Sequence, residues 1–165
     1  MPITILDVAH ALLFIFPAYC ANAAPVIFGG GSPIDGGRTF LDGKPIFGSH
    51  KTLRGFVSGL LVGTLVSFVQ GTLFQYNVLL GFALSMGALA GDLAESFFKR
   101  RLDLPPGSTL PIADQLDFIL GALLFSLPVS PPPLLVVLII MIITPPIHLL
   151  TNFLAYLLGV KKRLW

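Results

Sequence analysis

Between Gly91 and Asp117 the chain reads GDLAESFFKRRLDLPPGSTLPIADQLD, five acidic and three basic side chains set between strongly apolar segments. Asp92, Glu95, Ser96 and Lys99 fall at i, i+3, i+4 and i+7, which puts them on one helix face along about 10 Å of axis at ~1.5 Å rise per residue. Asp114 and Asp117 share a face at the start of the next helix. Only about a dozen residues separate the two sets, so the carboxylates converge on one mouth. Several carboxylates without a matching number of bases suit a hard divalent cation. Mg²⁺ takes a few carboxylate oxygens and completes its octahedron with water and substrate phosphate. Lys99, Arg100 and Arg101 add phosphate-binding charge on the same rim. The chemistry that these residue types fit is metal-assisted phosphoryl or nucleotidyl transfer, with charge stabilised on the attacked phosphate and on the leaving pyrophosphate.

The elements that position these groups must lie in lipid. With 165 residues, 55% hydrophobic and 11% charged, and a mean hydropathy of +0.88, the chain has too little polar surface to coat a soluble globule. A spanning helix needs ~20 apolar residues, so the length allows about five. Cys20 is the single cysteine, which excludes a disulfide framework or a cysteine-based metal site. The N-terminal stretch has no basic n-region and no small-residue cleavage site, so it reads as a first span and not a removed signal. Ionisable groups bordering a bilayer core are by default a functional site.

The expected architecture is all-α and membrane-integral, one polytopic domain over 1–165 with spans at about 4–28, 56–74, 78–98, 114–130 and 134–159. Pro17 and Pro25 interrupt the first span, and Pro145-Pro146 predicts a kink in the last. Gly59 and Gly63 form a G-x-x-x-G face for close helix packing in the second. The loop 29–55 is too polar to span and too glycine-dense for a helix; the loop 99–113 is stiffened by Pro105, Pro106 and Pro111, with Gly107 available for a turn. All ten Lys and Arg residues lie in these two loops and in the tail Lys161-Lys162-Arg163. Five spans put those segments on one side, and the positive-inside rule makes that side cytoplasmic, with the N-terminus outside. A site there can reach nucleotides.

The run G-D-x-x-E-S-x-x-K-R, from Gly91 to Arg100, followed by P-G-x-x-x-P-x-x-D-Q-x-D, from Pro106 to Asp117, resembles the signature of the membrane CTP:phosphatidate cytidylyltransferase superfamily. The loop G-x-P-I-D-G-G-x-x-F-x-D-G-K, from Gly31 to Lys44, resembles more specifically its CDP-archaeol synthase branch. The resemblance covers nearly the whole chain. It implies a multi-pass enzyme of the cell membrane in phospholipid biosynthesis, with its site on the cytoplasmic side. Such an enzyme transfers a cytidylyl group from CTP to an isoprenoid ether glycerol phosphate with Mg²⁺ as cofactor, releasing pyrophosphate. Carried over by position, Asp92, Glu95, Asp114 and Asp117 hold Mg²⁺ and, with Lys99, form the catalytic set. Lys99, Arg100, Ser96 and Gly107 bind phosphate, and Asn22, Arg38, Lys44, Lys51 and Thr52 close the nucleotide pocket from the first loop. The segment Gly48-Ser49-His50-Lys51-Thr52 departs from the G-x-G-K-T form expected there, and without glycine before the lysine it is no P-loop. The partners implied are CTP, the lipid phosphate and the membrane, with no nucleic acid.

Each feature also has a plainer reading. Asp92 and Glu95 can pair with Lys99 as a structural salt bridge, which leaves Asp114 and Asp117 unpaired. The clusters 99–101 and 161–163 can serve as topology anchors. His148 and Asn152, at i and i+4 in the last span, fit interhelical hydrogen bonding. Asp7 and His10 lie at the far end, where a structural or interfacial role is expected, and Cys20 reads as a small packing residue. Two rival functions use similar parts. A CTP-dependent lipid or polyprenol kinase releases CDP, and a cation transporter places its carboxylates nearer the bilayer midplane than one rim.

Overall fold

The structure, a computed structural model, describes residues 3–105, 108, 110 and 112–160. Its described elements are five helices: α1 (Ile5–Phe28), α2 (Leu53–Phe74), α3 (Val78–Arg101), α4 (Ala113–Ser126) and α5 (Leu134–Leu157). Four of them, α1, α2, α3 and α5, are long and apolar enough to cross a membrane. Two helices extend beyond the expected spans. Thr52 caps α2 before Leu53, ahead of the expected start at 56, and α3 continues past 98 to Arg101, so Lys99, Arg100 and Arg101 sit on helix and not in the loop. The fourth segment is shorter than the expected 114–130. Helix α4 has 14 residues, or ~21 Å at 1.5 Å per residue, against ~30 Å of hydrocarbon. The turn over 127–129 and the prolines of 131–133 end it early.

Thr4 and Asp7 start α1 with reciprocal capping, Thr4 Oγ1 accepting from the Asp7 backbone N–H and Asp7 accepting from that of Thr4. The structural role expected for Asp7 is therefore helix initiation. Pro17 and Pro25 lie inside a continuous α1. A proline removes the donor that the carbonyl four residues earlier would use, and in lipid that carbonyl must be partnered or shielded by protein. Helix α2 covers both. Gln70 Nε2 donates to the Leu13 carbonyl at 3.0 Å, and the bare backbone of Gly59 packs directly on the Ala21 carbonyl. The Gly59/Gly63 face thus docks α2 against α1 and, through Ser85 and Leu89, against α3. Pro145 and Pro146 likewise sit within a continuous α5.

The core runs through α1, α3, α4 and α5 around Ile15, Leu84, Phe118, Ile119 and Ile140. Tyr19 of α1 and Thr144 of α5 share a 2.8 Å hydroxyl contact within it. Helices α3 and α4 cross in backbone contact, Gly87 against Gly121 and Gly91 against the Asp117 carbonyl. That crossing brings the acidic end of α3 beside the first turns of α4.

Candidate functional site

Residues 29–52 form a glycine-rich loop held by two isolated bridges, Pro33 with Thr52 and Thr39 with Pro45. Asp35 is its internal anchor. Its carboxylate accepts from the backbone N–H groups of Gly37 at 2.9 Å, Phe47 at 2.9 Å and Gly48 at 3.1 Å. Partial burial pushes the Asp35 carboxyl upward, but those donors together outweigh it and hold the group below its ordinary value. Gly36 and Gly37 take positive φ of 62° and 74°, the turn geometry that folds the chain back around Asp35.

The C-terminal turns of α3 carry Asp92, Glu95, Ser96, Lys99, Arg100 and Arg101. Cations there meet the negative end of the helix dipole, and Asp114 meets the positive end of α4. Asp114 Oδ1 also accepts from the Leu110 N–H at 3.0 Å, which fixes the approach to α4. The loop, the α3 terminus and the α4 start meet here, and every described Lys and Arg belongs to this end of the bundle.

Two lysines organise the carboxylates. Lys51 Nζ lies 2.6 Å and 2.7 Å from the two oxygens of Asp92. Lys99 Nζ pairs with Glu95 at 2.5 Å and Asp114 at 2.8 Å and donates to the Ser108 carbonyl at 2.9 Å. Glu95 and Asp114 thus share the single ammonium group of Lys99. Lys99 is buried despite its charge, which such pairing permits. Asp117 is held by the N–H of Phe118 at 2.6 Å. It lies within electrostatic reach of Asp92, Glu95 and Lys51, and no described cation forms an ion pair with it. The simple salt-bridge reading therefore takes a different form: Lys99 binds Glu95 and Asp114, Asp92 goes to Lys51, and Asp117 is the carboxylate left over.

The remaining candidates divide. Arg100 is buried, and its Nε and Nη1 have no hydrogen-bond partner among the described residues. Ser96, four residues earlier on α3, is buried as well. Thr52 is the N-cap of α2, its hydroxyl oxygen accepting from the N–H groups of Gly55 at 3.1 Å and Gly30 at 3.3 Å. Lys44 turns away from the carboxylates and pairs with Asp103 at 2.6 Å. Arg38 is exposed on the loop. Asn22 is half-buried in the last turns of α1, shortly before the Pro25 that packs near Gly55 of α2. Gly107 and the tail cluster 161–163 lie outside the described residues. His148 and Asn152 meet along α5 at 3.3 Å, and the His148 ring lies beside Phe118 at 6.0 Å.

Among the described residues no three carboxylates, thiols or imidazoles stand at metal-ligand spacing; the ammonium groups of Lys51 and Lys99 engage the acids. The donor set nevertheless fits a hard divalent cation. Glu95 and Asp114 gather round one cation, here the Lys99 ammonium, and Asp117 lies within electrostatic reach of Asp92 with no cation paired to it among the described residues. The Lys51–Asp92 pair escapes sequence reasoning, because nothing in the loop's pattern states which α3 carboxylate the lysine reaches. The same holds for Arg101. The sequence groups it with Lys99 and Arg100 as phosphate-binding charge, whereas its neighbours are Asp42 and Phe40 of the loop.

Residues 3–165 match a family model described as "CarS-like: CDP-archaeol synthase". The chain is 44% identical over 172 residues to a CDP-archaeol synthase of Methanococcus aeolicus, covering 96% of this chain and 97% of that protein. It is 47% identical over 164 residues to a CDP-archaeol synthase of Pyrococcus furiosus, covering 96% of this chain and 98% of that one. A solved structure described as an intramembrane enzyme for archaeal membrane lipids biosynthesis aligns with a TM-score of 0.81 at 35% identity, covering 88% of this chain and 94% of that chain.

Proposed function

The chain belongs to the CDP-archaeol synthase family, and from that premise we propose how the polar end of its helix bundle carries out cytidylyl transfer. The enzyme is a membrane-embedded nucleotidyltransferase that moves the cytidylyl group of CTP to an isoprenoid ether glycerol phosphate. In the proposed reaction a lipid phosphate oxygen attacks the α-phosphorus in line. The new P–O bond forms as the bond to the β-phosphate breaks, and pyrophosphate leaves with that electron pair. The attacking phosphate is already anionic, so no protein nucleophile is needed, and catalysis is positioning plus electrostatic stabilisation.

The observation that carries this reading is the convergence of Asp92, Glu95, Asp114 and Asp117 with Lys51 and Lys99 at one end of the bundle. Asp92 and Asp117, supported by Glu95 and Asp114, are the residues that would hold Mg²⁺. When bound, the ion would stabilise charge on the attacked phosphate and on the pyrophosphate. Arg100, buried with two nitrogens that have no hydrogen-bond partner among the described residues, is suited to a phosphate oxygen. Lys51 and Lys99 are the other phosphate ligands within the cluster, and Arg38, exposed on the loop, adds positive charge at its rim. The polar end faces the cytoplasm in this reading, because the described basic residues all gather there.

The test is a product assay in detergent with CTP labelled at the α-phosphate, Mg²⁺ and an isoprenoid glycerol phosphate. Label in the lipid with release of pyrophosphate is expected. Label recovered as CDP would make the protein a kinase, and no CTP turnover would reopen the transporter reading.

A further inference from the structure

The loop and the end of α3 are fastened together in both directions. From α3, Arg101 reaches the loop: its Nη2 donates to the Pro45 carbonyl at 2.5 Å, and its Nε lies 2.7 Å from Asp42 Oδ2 as an ion pair. The same guanidinium stacks over Phe97 at 4.4 Å and Phe40 at 5.2 Å, and those two rings meet edge to face at 5.2 Å. From the loop, Lys44 donates to the Arg101 carbonyl at 3.1 Å and pairs with Asp103. Between these contacts residues 38–46 form a narrow ribbon, closed by Phe40 N–H to the Lys44 carbonyl at 2.8 Å and Ile46 N–H to the Arg38 carbonyl at 3.2 Å.

The two fastenings differ in strength. The Asp103 side chain is 79% exposed, so its pair with Lys44 is screened and worth little. The Arg101 side chain is only 19% exposed, packed over two rings while it pairs with the Asp42 carboxylate and donates to the Pro45 carbonyl, a combination that suits arginine better than lysine. We propose that Arg101 is a positioning residue that latches residues 38–46 onto the C-terminus of α3, so that the loop is already closed when nucleotide arrives. Resting on the cytidylyltransferase reading, this gives Arg101 a role apart from phosphate binding and apart from topology. An unlatched loop must be ordered by the nucleotide itself, and apparent affinity falls by the fraction of molecules that remain closed.

The experiment uses the full chain in detergent with the variants Arg101→Lys and Asp42→Asn, the second being a mild change on the loop that spares α3. CTP KM is expected to rise about tenfold in both, as for a loop closed roughly a tenth of the time, with kcat and the lipid KM close to wild type. The double variant should be little worse than either single one, because both break the same contact. Trypsin should cut after Arg38, Lys44 or Lys51 faster in each variant than in wild type. Unchanged CTP KM and unchanged cleavage overturn the latch. A fall in kcat for Arg101→Lys that Asp42→Asn does not share also overturns it, by placing Arg101 on the reacting phosphates. If wild type itself moves no label from CTP, the cytidylyltransferase reading fails, and equal cleavage rates would still refute the latch independently.

Discussion

The proposed catalytic constellation depends on how closely α3 and α4 approach, and Gly91 sets that distance. Its backbone rests on the Asp117 carbonyl and beside Gly121, so a methyl group in Gly91→Ala meets main chain that cannot rotate away. The collision is relieved only if the helices separate by roughly 1 Å, the shortfall from ordinary van der Waals contact, at a cost of about 1–3 kcal/mol of packing. That movement pulls Asp114 away from Lys99, now 2.8 Å distant, and Asp117 away from Asp92. A misplacement of this size costs on the order of 10²-fold in rate. The comparison is Gly63→Ala, where the added methyl strikes Ser85 and Ala21 in the middle of the α1–α2–α3 contact. Both variants should melt earlier in detergent. Turnover of α-labelled CTP per folded molecule should collapse only for Gly91→Ala. Wild-type turnover in Gly91→Ala, or an equal loss in Gly63→Ala, would refute the claim that the α3–α4 approach sets the site.

Three further outcomes are expected. Asp117→Asn should abolish turnover, by at least about 10²-fold, while insertion and melting stay near wild type, since in the proposed reaction this group would hold the ion and not the fold; near-normal activity would remove Asp117 from the proposed metal set. At the α1–α5 contact the Thr144 hydroxyl donates to the Ile140 carbonyl at 2.6 Å, so Tyr19 must be the donor to Thr144. Thr144→Val would strand that half-buried donor beside the core and cost about 1–3 kcal/mol, whereas Tyr19→Phe removes the donor and costs about 1 kcal/mol or less; melting curves with the opposite order would reverse the assignment. The Asp35 carboxyl sits below its ordinary value in the folded loop, so its contribution is present above the unfolded value and is lost as pH falls through the folded one. Hydrogen exchange of residues 33–48 should therefore accelerate on acidification in wild type, after correction for the intrinsic pH dependence of exchange, and much less in Asp35→Asn.

The helices are legible from the sequence because lipid leaves backbone few alternatives, so an apolar run of span length has one reading. The end of α4 is less legible: the apolar character continues through Leu127, Pro128 and Val129, and only the turn geometry stops the helix at Ser126. Both prolines of α1 read as interruptions, yet the helix continues because Gln70 and Gly59 cover the carbonyls they release. Gln70 and Leu13 are 57 residues apart, and Gly59 and Ala21 belong to different helices, so neither contact is visible in any local pattern. In the site, periodicity places Asp92, Glu95 and Lys99 on a shared face, since i, i+3 and i+7 are fixed by helix geometry alone. Loop residues have no such ruler. Lys44, Lys51 and Thr52 carry suitable chemistry for a nucleotide pocket, but only the folded loop shows that one faces Asp103, one Asp92, and one caps α2.

The pairing of Lys51 with Asp92 bears on how the proposed reaction begins. A carboxylate cluster left bare at the edge of a bilayer would repel a triphosphate and strain itself by like-charge repulsion. With Lys51 on Asp92 and Lys99 between Glu95 and Asp114, the resting mouth is largely neutralised at short range, and each lysine is one contact away from a phosphate. In the proposed reaction Lys51 would be free to turn from carboxylate to phosphate when nucleotide arrives, and Asp92 would then be available to hold a divalent ion, so that neither charge would be left buried and alone. Asp117 needs no such exchange, because no described lysine or arginine is paired with it. In the proposed reaction that asymmetry would make Asp117 available to an ion without displacing a lysine, whereas Asp92 would first have to release Lys51.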